Sequence, residues 1–195
     1  MQRCLIAMCL AVLVVSAALA QQKKTVPPPP KPTDEGPSLE VTMKFIHDKL
    51  NDIGPVNYAA YVHDNASGNE WTVQFRSELT KVVADPRACR IDLHSKQERE
   101  GKSFTDNDFG FSLRVVGDIV VMPMEQRLKE IDALQGAPTL TYKVDPPVFV
   151  LKVRRTDRKE PDVFCFFDEQ MANRVAKAMV HAVELCGGGE KPEPF

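Results

Sequence analysis

The sequence lacks the local patterns that mark most catalytic and cofactor sites. No GxSxG nucleophile motif, Walker phosphate loop, Rossmann glycine set or HExxH zinc motif occurs in its 195 residues. Neighbouring pairs such as His63-Asp64 cannot form a charge relay, because adjacent side chains in a strand point to opposite faces. The sequence therefore predicts no catalytic residue and no cofactor. It leaves open a small hydrolase or transferase whose site is assembled from dispersed residues.

An excess of basic residues is also missing. The chain has 25 Lys and Arg against 27 Asp and Glu, a net charge of −2. Removal of Arg3 with the leader described below leaves 24 against 27, a net of about −3. Nucleic-acid binding needs clustered cations that release counterions from phosphates, so the composition argues against a nucleic-acid partner.

Metal ligands are few and scattered. The four histidines, His47, His63, His94 and His181, show no HxH or HExxH spacing, and each falls where a polar residue facing solvent is expected. The acidic stretch 105–110 is similar to a calcium loop, but its glycine comes one position early and the bidentate Glu is missing. We interpret this stretch as the polar tip of a hairpin and predict no metal site.

Long hydrophobic runs are absent except at the N-terminus. Residues 4–19 are almost wholly apolar, follow a positively charged start and end at Ala18-Leu19-Ala20, the small-x-small pattern that signal peptidase cuts. The run is shorter than the ~20 residues that span a bilayer. We therefore predict a signal peptide over residues 1–20, no transmembrane span after processing, and a periplasmic or secreted protein.

Proline and glycine divide the rest of the chain. Residues 21–37 contain TVPPPPKPTDEGP, which cannot form a helix or a sheet interior and predicts a disordered proline-rich spacer. Residues 188–195 end in EKPEPF and predict a disordered tail. A single globular domain is expected between them, over residues 38–187.

Helical periodicity occurs at both ends of this domain. After Ser38, a plausible N-cap, apolar residues recur at steps of three and four until Gly54. A longer amphipathic stretch begins after Asp168 and ends at Gly187. These patterns predict one N-terminal helix and one C-terminal helix.

Between the helices the hydrophobic period falls to two, which is typical of half-buried strands. About seven strands are predicted, over residues 58–63, 71–79, 89–93, 109–113, 119–122, 149–153 and 163–167. The loop Asp64–Asn69 is rich in residues that tolerate left-handed geometry, so the first two strands should form a hairpin. Strands and helices are segregated, which predicts an antiparallel α+β domain with a bent sheet or partly open barrel closed by the C-terminal helix.

This order of elements, over roughly 57–186, resembles the pleckstrin-homology-like superfold. More locally, PSLEVTMKFIHDKL and FFDEQMANRVAKAMVHAVELCGG look like segments of a group of secreted bacterial proteins without an assigned activity. The resemblance implies an exported bacterial protein. Lipid-binding members of the superfold draw Lys and Arg from the first hairpin, where this chain has HDNASGNE, so phosphoinositide binding is not carried over.

Cysteine is scarce once the leader is removed, with Cys89, Cys165 and Cys186 remaining. Cys165 and Cys186 stand at opposite ends of the predicted helix, separated by roughly 27 Å at ~1.5 Å per residue, which is too far for a disulfide. Cys89 with Cys186 is the better pair, and three buried reduced thiols are the alternative. Cys165 lies between two phenylalanines without a basic neighbour, which argues against a reactive nucleophile.

One late segment concentrates positive charge, with five cations within eight residues: Lys152, Arg154, Arg155, Arg158 and Lys159. A solvated edge hairpin explains it, and a basic patch for an acidic partner or envelope surface is the alternative. Taken together, the sequence favours a non-catalytic exported domain that binds a protein, peptide or envelope component, or a structural domain mounted on a spacer.

Overall fold

The computed structural model describes residues 36–134, 136 and 139–189. The predicted signal peptide, residues 21–35 of the predicted spacer and residues 190–195 of the predicted tail lie outside the described residues. Along the described chain the elements are α1 (Leu39–Asn51), β1 (Val56–Asp64), β2 (Glu70–Asp85), β3 (Arg90–Arg99), β4 (Lys102–Ser112), a 3-10 helix (Leu113–Val115), β5 (Val116–Pro123), α2 (Met124–Leu134), β6 (Leu140–Asp145), β7 (Phe149–Arg155), β8 (Asp162–Phe166) and α3 (Glu169–Leu185).

The strands form two open antiparallel sheets. The larger has the order β4-β3-β2-β1-β6 and the smaller has the order β5-β7-β8. The predicted α+β class with antiparallel strands is confirmed. The predicted arrangement of about seven strands in one bent sheet is wrong, because the described residues form eight strands in two sheets, neither of them closed. The seven-strand arrangement of the pleckstrin-homology-like superfold is therefore not matched in detail.

Both predicted helices are present, with the expected caps. The Ser38 hydroxyl accepts a hydrogen bond from the backbone N–H of Val41, and the Asp168 carboxylate accepts from Gln170 at 2.8 Å. Gly187 ends α3 with φ +74°, a conformation that favours glycine. No helix in the described part of the chain is both long enough and apolar enough to cross a membrane.

A third helix, α2, and strand β6 were not predicted. In α2 only Met124 is buried, so its apolar stripe is too narrow to stand out from its charged residues. Strand β6 pairs with β1 far away in sequence, with Tyr61 opposite Lys143. Its alternation of Leu140, Tyr142 and Val144 with polar residues is a period-two signal, but it lasts only six residues.

The main core lies where α1, α3, the smaller sheet and one end of the larger sheet meet. Its largest fully buried side chains come from all of these elements: Met43, Ile46, Ile91, Phe111, Leu151, Phe164 and Met179. A second cluster, around Val56, Val144 and Val150, joins the two sheets. Both faces of β7 are therefore covered in its first half, which explains why Phe149, Val150 and Leu151 are consecutive apolar residues.

Two local predictions need correction. The stretch 105–110 is not a hairpin tip but part of β4, and the tip of the β3–β4 hairpin is Glu100-Gly101. Gly110 within it faces Asp92, whose carboxylate occupies the position that a Cβ would take.

Gly188, which the sequence analysis assigned to the tail, packs against the Leu113 carbonyl so closely that a Cβ would lie 2.4 Å from that oxygen. The described fold thus continues beyond residue 187.

Candidate binding groove

The basic hairpin does not place its five cations on one surface. Lys152 and Arg154 point to one face of β7 and Arg155 points to the other, as strand alternation requires. The side chains of Lys152 and Arg155 are each only 11% exposed. Four of the five cations pair with carboxylates, and Lys159 alone has no ion pair among the described residues. A binding role for this hairpin stays a prediction.

Asp162 is the carboxylate that organises the hairpin. Its oxygens lie 3.2 Å from a guanidinium nitrogen of Arg155 and 3.2 Å from one of Arg158. Burial raises the pKa of Asp162 above its usual range, although the two arginines oppose that rise. Arg155 also lies over the ring of Phe111, 5.8 Å from its centroid. These contacts assign Arg155 a structural position at the edge of the main core.

The structure joins Cys89 to Cys186, the pairing that the sequence left open against three reduced thiols. The sulfurs of Cys89 and Cys186 are 2.09 Å apart, which joins the turn between β2 and β3 to the end of α3. Cys165 is free and buried in β8. Burial raises the pKa of its thiol to about 11, against a hydrogen bond with Ser77 that lowers it. The thiol is therefore protonated at neutral pH and is not an activated nucleophile.

Each of the four histidines lies beside a carboxylate, and within the described residues only His94 lies beside two. Its Nε2 lies 3.1 Å from Asp106 and its Nδ1 lies 2.9 Å from Asp108, on the face of β3 and β4 opposite to the groove described next. Among residues 36–134, 136 and 139–189, no set of three or more His, Cys, Asp or Glu side chains is placed to hold a metal ion.

The feature that sequence reasoning missed is a groove between the larger sheet and α2, which we call the sheet–helix groove. It consists of two adjoining cavities of about 480 and 700 Å³ that share Phe75, Phe104, Leu128 and Ile131 as lining residues. Strands β1 and β2 form its floor, α2 forms one wall and the β3–β4 hairpin forms the other. Cavities of this size and lining are typical of ligand-binding sites.

Aromatic side chains dominate the groove. The rings of Tyr58 and Phe75 stack with centroids 5.1 Å apart on its floor. Trp71 and Phe104 also line it, and they are 42% and 59% exposed. Large apolar side chains with this much exposure contribute little to the stability of the folded chain alone. They gain apolar burial when a partner covers them.

Two buried titratable groups lie at the base of the smaller cavity. The hydroxyl of Tyr58 donates to the Met124 sulfur at 3.7 Å, and burial raises the pKa of Tyr58 above its usual value. Cys165 lines the same cavity and is also held in its protonated form. Both groups are neutral at physiological pH, so the charge in the smaller cavity comes from its other lining residues, Asp162 and the arginines Arg76, Arg127 and Arg158.

Polar contacts, rather than apolar packing, hold α2 in place. A Glu125 carboxylate oxygen accepts from the backbone N–H of Val144 at 3.0 Å, and Asp132 accepts from the hydroxyl of Tyr142. Glu130 accepts from Lys152 at 2.8 Å. The apolar side chains of α2 that face the groove, Leu128 and Ile131, are thereby left partly exposed along its wall.

The chain was compared with protein-family models, with curated proteins and with solved structures, and none of them matches. The groove therefore has to be interpreted from its own residues. Two sequence signals could have indicated it: the spacing of Met124, Leu128 and Ile131, which is helical, and Phe104, the one aromatic residue in the polar stretch 102–108.

Proposed function

We propose that the protein is an exported, non-catalytic binding domain that takes an envelope component, protein or peptide into the sheet–helix groove. The observation that carries this proposal is the contrast along one face of the larger sheet. At one end, Leu79 and Ile91 are sealed under α1 and α3. At the other end, Phe75, Phe104 and Trp71 line an open groove. An apolar surface of this kind favours a partner that covers it.

The chemistry of the groove supports binding over turnover. A general base or nucleophile needs a pKa near the working pH, whereas burial raises the pKa of Tyr58 and that of Cys165. Asp162, whose pKa burial also raises, lines the smaller cavity too, but its carboxylate pairs with Arg155 and Arg158. The enzyme alternative from the sequence would have to use this carboxylate or a group outside the groove. Export through a signal peptide and relation to the pleckstrin-homology-like superfold remain predictions from the sequence.

A pair of substitutions on neighbouring residues of β3 tests the proposal. Gln97 lines the smaller cavity, whereas Lys96 points to the opposite face of the strand, where it pairs with Glu98. Gln97→Trp should fill part of the groove, and Lys96→Trp adds the same bulk outside it. Wild type and Lys96→Trp should retain the same molecule from an envelope extract, identified by mass spectrometry of eluted lipids and proteins.

Retention by Gln97→Trp should fall at least tenfold while its circular dichroism stays that of the wild type. Equal retention by all three proteins would overturn the assignment of binding to the groove. Retention by none of them would overturn binding of an envelope component.

A further inference from the structure

The larger cavity of the groove combines an apolar interior with cations at one end. Its floor includes Ala60, Val62 and Val73, and its wall includes Leu128 and Ile131. A single acyl chain needs such a continuous apolar surface, and the cavity of about 700 Å³ has the size of sites that enclose small ligands. The interior thus fits the hydrocarbon part of an amphiphile.

Arg99 and Lys102 stand at the mouth of the same cavity, directly opposite each other across the β3–β4 hairpin. Neither forms an ion pair among the described residues. The acidic groups beside them are already engaged, because Asp132 accepts from Tyr142 and Glu100 accepts from the backbone N–H of Gln74 at 2.6 Å. Among the residues that line this cavity, two cations without an ion pair therefore stand against one carboxylate, Asp132, which leaves a net positive charge for an anion.

The other cations near the groove differ from this pair. Arg76 pairs with Glu78 at 2.9 Å, and Arg127 pairs with Glu130 at 3.4 Å. Arg158 pairs with the buried Asp162. Among the cations that line the groove, those without an ion pair in the described residues thus lie at the Arg99–Lys102 end, so the two ends of the groove differ in charge.

We propose that the groove binds an anionic amphiphile with one acyl chain, whose carboxylate or phosphate lies between Arg99 and Lys102 and whose chain lies along the floor towards Phe75. This inference rests on the proposed function and names the chemical class of its ligand. The chain supplies affinity through apolar burial, and the two cations select the charged headgroup over an uncharged one.

The chain's single tryptophan, Trp71, lines this cavity and reports its occupancy. Dodecanoate, dodecyl phosphate and dodecanol, each titrated below its aggregation limit, should shift Trp71 emission to shorter wavelength, and calorimetry should give the affinities. We expect both anions to bind about tenfold more tightly than dodecanol. Inorganic phosphate and acetate alone should not bind, because they lack the chain.

The double variant Arg99→Gln with Lys102→Gln tests the headgroup site on two exposed side chains whose replacement leaves the core untouched. It should reduce the preference for anions over dodecanol to less than about twofold without weakening dodecanol. Ile131→Ala should weaken all three amphiphiles by roughly threefold to tenfold. Leu134→Ala, the same type of change on a side chain of α2 that is 86% exposed and does not line the cavity, should change none of them.

Equal binding of dodecanol and dodecanoate by the wild type, or an unchanged preference in the double variant, would overturn the headgroup site. Failure of every amphiphile to bind would overturn the ligand class. In that case, loss of retention in Gln97→Trp would still support the proposed function with another ligand. Undiminished amphiphile binding by Ile131→Ala, whose side chain lines both cavities, would instead overturn the groove as the site of the acyl chain.

Discussion

One face of the larger sheet is tightly covered at one end and open at the other. At the end near β3 and the 3-10 helix, Ile91, Leu113 and Phe111 are at most 2% exposed under two helices and the smaller sheet. At the other end the same face carries Phe75 and Trp71, and only α2 stands across it. The difference lies in the covering elements, since both ends are built from the same strands.

The covering helices differ in how they attach. Helix α3 buries Ala172, Val175 and Met179 completely and is joined to the sheet through Cys186. Helix α2 buries only Met124 and relies on polar contacts to β6 and β7. A helix held by a few partly buried polar contacts opens at lower cost than one held by extensive apolar packing. The open end thus combines a binding surface with a wall that can move.

The difference between the two ends is tested most directly by replacing one phenylalanine with alanine at each end. Phe164 is fully buried in the covered core, and Phe164→Ala should destabilise the protein by about 3–5 kcal/mol because it removes apolar burial and leaves a cavity. Phe104 is 59% exposed in the groove, so Phe104→Ala should change the stability by less than about 0.5 kcal/mol. Urea unfolding followed by circular dichroism measures both.

A ligand should reverse the relative importance of the two positions. Phe104→Ala should bind dodecanoate more weakly than the wild type does. Folded Phe164→Ala should bind dodecanoate with an affinity close to that of the wild type. Similar losses of stability in the two variants would show that the groove is a closed core in solution.

The two ends also differ in how far the sequence predicts them. The covered end follows from local signals: the Ser38 and Asp168 caps, the apolar stripes of α1 and α3, and the spacing that excluded Cys165 from pairing with Cys186. The open end depends on the pairing of β1 with β6, which joins Ala59 to Asp145. Alternation tells which face a side chain takes but not which strand lies beside it. Helix α2 is attached to β6, so its position over the floor of the groove was not predictable from one sequence.

The second prediction concerns the disulfide at the covered end. Cys89 and Cys186 are 97 residues apart, so the bond closes a long loop and should stabilise the protein by about 2–4 kcal/mol. Reductant should lower the urea midpoint and raise amide exchange in α3 towards the exchange of α2. The variant Cys89→Ala with Cys186→Ala should have the lower midpoint with or without reductant.

Alkylation of the unfolded, unreduced protein provides the check on this pairing. A chain expressed without residues 1–20, which contain Cys4 and Cys9, should offer one reactive thiol, from Cys165, before reduction and three after it. Three reactive thiols before reduction would contradict the bond. They would also mean that packing alone holds α3 to the sheet. The covering helices at the two ends would then differ less in how firmly they are attached.

The smallest expected effect concerns the attachment of α2 through Glu130. Burial tends to raise the pKa of Glu130, but the hydrogen bond from Lys152 and the charges of Lys152 and Arg127 outweigh it, so the pKa lies below its ordinary 4.5. A carboxyl group with a lowered pKa stabilises the folded state above the pKa of the unfolded chain, and this contribution is lost as the pH falls through the folded value. Glu130→Gln should therefore cost less than about 1 kcal/mol at pH 7.

The same titration should loosen the wall of the groove and leave the covered end unchanged. Between pH 7 and values below about 4.5, hydrogen exchange in α2, corrected for its intrinsic pH dependence, should speed up more than exchange in α3. In Glu130→Gln the α2 exchange should be fast at both pH values. The matched variant Glu169→Gln, in the exposed first turn of α3, should behave as the wild type. If acid loosened α2 equally in Glu130→Gln, the contact with Lys152 would not be what holds the wall, and the hydrogen bond from Val144 to Glu125 would be the next to test.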